Sequence, residues 1–187
     1  PEFFKIVNKK AESYPNIAPH LGGPEQAQDF IKPSSVDTVY VFFGALNTTA
    51  DLERAVAGMA SVLKPGGRVV ATFVNKWYVF DIMWNILTLR PKKAVARLKK
   101  VWGGYSPTRF LASRCYSSRQ VHAAFSKHLV RKRRLGFCIT HPAWYRHHWA
   151  PEGSLRSRWL YAFDGLLQWT PAWNAGEYSL YLYEKPL

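Results

Sequence analysis

The chain has 187 residues, 48% of them hydrophobic and 16% aromatic, a composition that excludes a disordered or low-complexity protein and suits one globular domain with a real core. Its formal charge of +14 is unevenly placed. Residues 76–134 hold fifteen Lys and Arg against one acid, Asp81, and the stretches on either side are each balanced, so the whole excess lies in that segment.

Two cysteines, Cys115 and Cys138, form neither a C-x-x-C pair nor a closely spaced framework, and a reducing cytoplasm is expected. The sequence begins Pro-Glu-Phe-Phe, without the basic, apolar, small-residue succession of a signal peptide, and this start reads as a cut or an incomplete gene. Residues 1–14 predict a helix, with Phe3, Phe4, Val7, Ala11 and Tyr14 at helical spacing, ended by Pro15. Ile17 to Leu21 is a short strand candidate, followed by Gly22-Gly23-Pro24 and a loop or weak helix to Ile31.

Val36 to Phe43, VDTVYVFF, is almost continuously apolar, the mark of a parallel strand buried on both faces. After GALNTT, Asp51 or a neighbouring Thr is placed to cap a helix whose Leu52, Ala55, Val56, Met59 and Leu63 face one way. Pro65-Gly66-Gly67 then turns the chain into a strand from Arg68 to Val74, completing a βαβ unit with an expected right-handed crossover. Residues 77–89 are apolar nearly all round. Residues 91–102 predict an amphipathic helix, with Ala94, Val95, Leu98 and Val101 on one stripe and Lys92, Lys93, Arg97, Lys99 and Lys100 largely opposite. Neither run is long enough to span a bilayer. A helix follows from about Ser118, itself a plausible cap, to His128; then an edge strand within LVRKRRLGFCIT, a helix over Trp159–Trp169, and a closing antiparallel strand in GEYSLYLY.

The pieces VDTVYVFFGALN, LKPGGRVVATFVN, YSSRQVHAAF and GEYSLYLYEK, in this order, resemble the second half of a class I S-adenosylmethionine-dependent methyltransferase, of the small-molecule, ubiquinone-biosynthesis-like branch. The resemblance covers nearly the whole chain. It implies a Rossmann-like, doubly wound, mostly parallel α/β sheet of order 3-2-1-4-5-7-6 with an antiparallel seventh strand. Residues 1–187 would be one partial domain, and residues 76–115 a helical cap inserted into it. The glycine-rich cofactor loop and the ribose-binding acid of the family would lie upstream of Pro1.

The resemblance also assigns a site. PEQAQDF stands where the family has its adenine-binding stretch, which would place Gln26 near the adenine amino group and the Ala27 backbone amide near a ring nitrogen; Gln replaces the usual Asp. Phe43, Gly44, Ala45 and Leu46 would wall the S-adenosyl-L-methionine pocket at the carboxyl ends of the strands. Asn47 reads either as a polar group at the substrate opening or as a cap for the following helix. In the cap, Trp77, Tyr78, Phe80, Met83 and Trp84 could line an apolar acceptor pocket or simply pack.

Methyl transfer from a sulfonium is an in-line displacement that needs orientation more than a dedicated base. Among His20, His122, His128, His141, His147 and His148, only His141 is placed to reach a site at the sheet edge, and no histidine has the spacing of a zinc site. The expected function is therefore methyl transfer to a small or lipid-like acceptor, with the pairing of 77–89 and 91–102 suggesting peripheral contact with an anionic membrane. The alternatives are a nucleic-acid-binding protein or RNA methyltransferase acting through residues 76–134, and a non-catalytic protein that kept the fold.

Overall fold

The computed structural model describes residues 2–103 and 110–187, without the side chains of Glu2 and Phe3. Pro1 and residues 104–109, which include Arg109 of the basic segment and part of the expected cap, lie outside the described residues. One sheet is built from β1 (Val36–Val41), β2 (Leu63–Val74), β3 (Val130–Phe137) and β4 (Tyr178–Glu184) in the spatial order β1-β2-β4-β3. β1 and β2 are parallel, and β4 runs antiparallel to β2 and β3. This is the 4-5-7-6 arrangement with a reversed strand next to the edge that the resemblance implies.

The helices are α1 (Glu2–Ser13), α2 (Ala27–Phe30), α3 (Leu52–Val62), α4 (Val79–Leu87), α5 (Pro91–Ala94), α6 (Ser118–Phe125) and α7 (Leu155–Leu167). Side chains alternate across β2 and β4, so Val69, Ala71, Phe73, Tyr181 and Tyr183 share one face. They form the core with Ala55, Val56 and Met59 of α3 and Val121 and Phe125 of α6. Phe125 stacks on Tyr183 with ring centroids 4.5 Å apart and meets Phe73 edge-on at 6.1 Å. Burying one such ring contributes about 1.5–3 kcal/mol.

The helix ends follow from local chemistry. Asp51 accepts from the Glu53 and Arg54 amides at 3.0 and 3.1 Å and starts α3. Ser117, rather than Ser118, caps α6 in a capping box with Gln120. At the far end of α3 the Lys185 ammonium donates to the Ala60 and Leu63 carbonyls, both at 2.8 Å, where a cation also complements the helix dipole. The Pro-Gly-Gly corner is looped out of β2: Val36 pairs with Leu63 but Thr38 with Arg68.

Three expectations are corrected. Ile17–Leu21 is irregular, not a strand. β1 is not covered on both faces: Tyr40 is 66% and Phe42 44% exposed, because β1 is an edge of the described sheet and α1 leaves Ile6 and Tyr14 outside rather than packing them on it. Residues 91–102 do not form one amphipathic helix but break into α5 and a 3-10 turn at Ala96–Leu98. Arg97, expected on the solvent face, is buried, while Val95 and Val101 are about half exposed. Ahead of this break, α4 turns Met83, Ile86 and Leu87 outward.

Candidate active site

Past Val41 the chain makes an abrupt turn over the end of β2. Phe43 and Gly44 both take left-handed backbone, with φ of 55° and 69°. Only glycine fits at position 44: a Cβ there would lie 2.8 Å from both Asn47 Oδ1 and Val74 Cγ2. The Gly44 amide donates to Thr72 Oγ1 at 3.3 Å, and Asn47 locks the turn down. Its Oδ1 accepts from the Val74 amide at 2.9 Å, and its Nδ2 donates to the carbonyls of Val74 at 3.2 Å and Arg114 at 2.6 Å.

β3 ends in a similar way, with Cys138 at φ 55° immediately after Phe137. These two turns border an open cavity of about 480 Å³ at the carboxyl ends of β1, β2 and β3, where open α/β sheets bind ligands. Phe42 and Phe43 come from β1's end, Thr72 from β2, Phe137 and Cys138 from β3's end, Tyr178 and Leu180 from β4, and Trp144 from the segment beyond. Thr72 pairs with Leu180 and Phe137 with Tyr178 across the ladders, which explains why they share the less covered face of the sheet. Two of the four non-glycine residues with positive φ among the described residues, Phe43 and Cys138, thus line one cavity, and backbone strain of this kind gathers at ligand sites.

Among the described residues no carboxylate, imidazole or amine lines this cavity. The Cys138 thiol is pushed up to about 12 by burial, with the carboxylates of Glu177 and Asp164 adding to the shift, so it stays neutral. A smaller cavity of about 290 Å³ shares Phe137 and Cys138 and holds His141. The ring of His141 is fixed there, Nδ1 3.0 Å from the Pro142 carbonyl and Nε2 3.0 Å from Ser157 Oγ. Beside it the buried Asp164 carboxylate accepts from the Ile139 and Thr140 amides at 2.9 and 2.6 Å and ties α7 to the end of β3.

The other expected site residues are dispersed. Leu46 is in the core and Ala45 is exposed. Asn47 is wholly buried, so it neither opens to substrate nor caps α3. Trp77 is 47% exposed and Tyr78 is fully buried, and neither reaches the cavity. Gln26 is exposed, with Oε1 accepting from the Gly23 amide at 3.2 Å. The Ala27 amide donates to the Pro24 carbonyl. Both groups assigned to adenine are therefore already engaged within a local turn.

Behind the cavity sits a charged cluster that the sequence pattern did not indicate. Arg97 Nη2 donates to Glu177 Oε1 at 2.8 Å and Nη1 to the Asn75 carbonyl at 3.3 Å, while the Tyr145 hydroxyl donates to Glu177 Oε2 at 3.1 Å. Burial alone would lower the Arg97 pKa; the adjacent Glu177 carboxylate outweighs it and holds the guanidinium charged. Tyr78, beneath Arg97 with its ring centroid 5.1 Å from the guanidinium carbon, is pushed far above the usual phenol range by burial and then by Glu177. Among the described residues no group of His, Cys, Asp or Glu could hold a metal ion, and no helix is long and apolar enough to cross a membrane.

No protein-family model and no curated protein matches the sequence. Solved structures do match the fold. A Listeria monocytogenes protein assigned as an S-adenosylmethionine dependent methyltransferase superposes with a TM-score of 0.61 at 11% identity, covering 100% of this chain and 78% of that one. The chain has the class I methyltransferase fold. Geranyl diphosphate C-methyltransferase from Streptomyces coelicolor matches with a TM-score of 0.56 at 12% identity over 97% of this chain and 60% of its own. The [4+2]-cyclase SpnF gives 0.57 at 15% identity, over 98% and 62%. The chain thus spans under two thirds of the length of several of these neighbours.

Proposed function

We propose that this chain forms the acceptor side of an S-adenosylmethionine-dependent methyltransferase whose acceptor is a small apolar or lipid-like molecule. One observation carries the reading: the cavity at the carboxyl ends of the strands is walled mainly by aromatic and aliphatic side chains, and among the described residues it has no carboxylate, imidazole or amine. Such a site suits a reaction whose donor is activated in advance. S-adenosylmethionine supplies a methyl group on a positively charged sulfur, so the protein's task is to orient the acceptor and exclude water, which is worth about 7–11 kcal/mol in a well-aligned pair.

The residues present fit the acceptor half of that task and not the adenine half. Phe43 lines the cavity and the adjoining Gly44 is fixed by Thr72 and Asn47, whereas Gln26 and Ala27 are satisfied within their own turn. The chain's own part is therefore to desolvate the acceptor between Phe43, Trp144 and Leu180. Delivery from an anionic membrane surface belongs to the same proposal, supported now by α4, whose outward Met83, Ile86 and Leu87 adjoin Arg90, Lys92 and Lys93.

The test is to incubate the natural protein with methyl-labelled S-adenosylmethionine and a total lipid extract. Label should enter the organic-extractable fraction and fall about tenfold or more with Leu180→Asp, which places a charge in the apolar wall. Label confined to water-soluble or RNA fractions, or no transfer, would reject the reading.

A further inference from the structure

The cap holds a second cavity, of about 460 Å³, whose lining differs in chemistry from the first. Arg90, Lys93, Lys99 and Arg146 line it, and among the described residues its one carboxylate is Asp81. That carboxylate is already engaged: Arg146 Nη2 donates to Oδ1 at 3.1 Å, and the buried Arg97 Nε lies 3.8 Å from Oδ2. Arg146 is held rigidly, its guanidinium carbon 5.3–5.8 Å from the ring centroids of Phe80, Trp84, Tyr145 and Trp149. Its second terminal nitrogen, Nη1, is buried with no hydrogen-bond partner among the described residues.

We propose that this cap cavity binds a phosphoryl group, a phosphomonoester or diphosphate dianion. Four cations line one concave site of ordinary ligand size, and with Asp81 paired to Arg146 the charges of Arg90, Lys93 and Lys99 are left over. Arg146 sets a fixed planar guanidinium into the wall, and Arg90, Lys93 and Lys99, all exposed, supply the donors that phosphate oxygens require. Trp84, Val101 and Trp102 supply an apolar wall for whatever the phosphate is attached to. The inference requires no methyl donor, although Arg90 and Lys93 also belong to the surface proposed above to meet an anionic membrane.

Titration calorimetry at low ionic strength with inorganic pyrophosphate, and sedimentation with phosphatidylcholine vesicles with and without phosphatidic acid, test it. The exposed pair Lys93→Gln and Lys99→Gln should weaken binding about tenfold or more, whereas Lys9→Gln with Lys10→Gln on α1 should leave it unchanged. Arg146→Lys keeps the charge but removes the fork and should also weaken binding, with circular dichroism confirming that it folds. Pyrophosphate binding without vesicle binding identifies a soluble phosphorylated ligand, and the reverse a lipid headgroup; either supports the site. Binding of neither, or equal weakening by the α1 control pair, overturns it.

Discussion

Arg97 and Glu177 meet at 2.8 Å with their side chains only 5% and 4% exposed, an ion pair buried between the 3-10 turn Ala96–Leu98 and the amino end of β4. Such a pair adds little net stability over an apolar pair, since desolvation offsets the attraction, but breaking it strands a charge. Arg97→Ala or Glu177→Gln should each cost about 3–5 kcal/mol in urea unfolding, and Arg97→Met with Glu177→Leu should cost much less than the sum. Additive losses would mean that the two side chains act independently.

Asn47 joins three backbone groups from two distant segments, Val74 and Arg114. Asn47→Leu matches the volume but leaves the Val74 amide and two carbonyls unpaired in a dry site, a loss of about 2–4 kcal/mol. Asn47→Asp should be nearly as harmful, because a carboxylate can accept from Val74 but faces the two carbonyls without a donor. Amide hydrogen exchange at Val74 should quicken in both variants.

The strands were legible as apolar runs, and their order followed from the family resemblance; Phe43, assigned by that resemblance to the cofactor pocket, lines the apolar cavity at the end of β1. What could not be read was register. Thr72, Phe137, Tyr178 and Leu180 come together only because of how three strands align, and nothing local marks them. Arg97 was misplaced for a related reason: in a basic stretch every cation looks solvated, and only the distant Glu177 singles one out for burial. Asn47 had two plausible local roles, and its observed role depends on partners 27 and 67 residues away.

Cys115 and Cys138 are both pushed from 9.0 up to about 12, chiefly by burial. A thiol whose folded-state pKa is raised binds its proton more tightly in the folded chain, so stability is full below the unfolded value near 9.0 and declines as pH rises from there toward 12. Thermal unfolding midpoints should therefore fall above about pH 9, and the fall should be shallower in the Cys115→Ala, Cys138→Ala variant. Alkylation of the native protein by iodoacetamide at pH 8 should be far slower than that of the unfolded chain. Equal rates would show that Cys138 is open and ionised.

The turn that shapes the apolar cavity gives the sharpest contrast between neighbouring positions. Phe43 and Gly44 share left-handed backbone, but the Phe43 side chain is 79% exposed, whereas a methyl group on Gly44 would strike Val74 and Asn47. Gly44→Ala should therefore cost about 1–3 kcal/mol or more, adding backbone strain to a steric clash inside the Asn47 bracket. Phe43→Gly relieves strain of about 1–2 kcal/mol while removing little buried area, so its unfolding midpoint should stay near that of the parent chain. Binding of an apolar dye should nonetheless fall in both: in Gly44→Ala because the wall moves, in Phe43→Gly because a wall residue is gone. If Gly44→Ala is as stable as the parent and binds dye equally well, the turn does not define the cavity and the proposed acceptor site loses its frame.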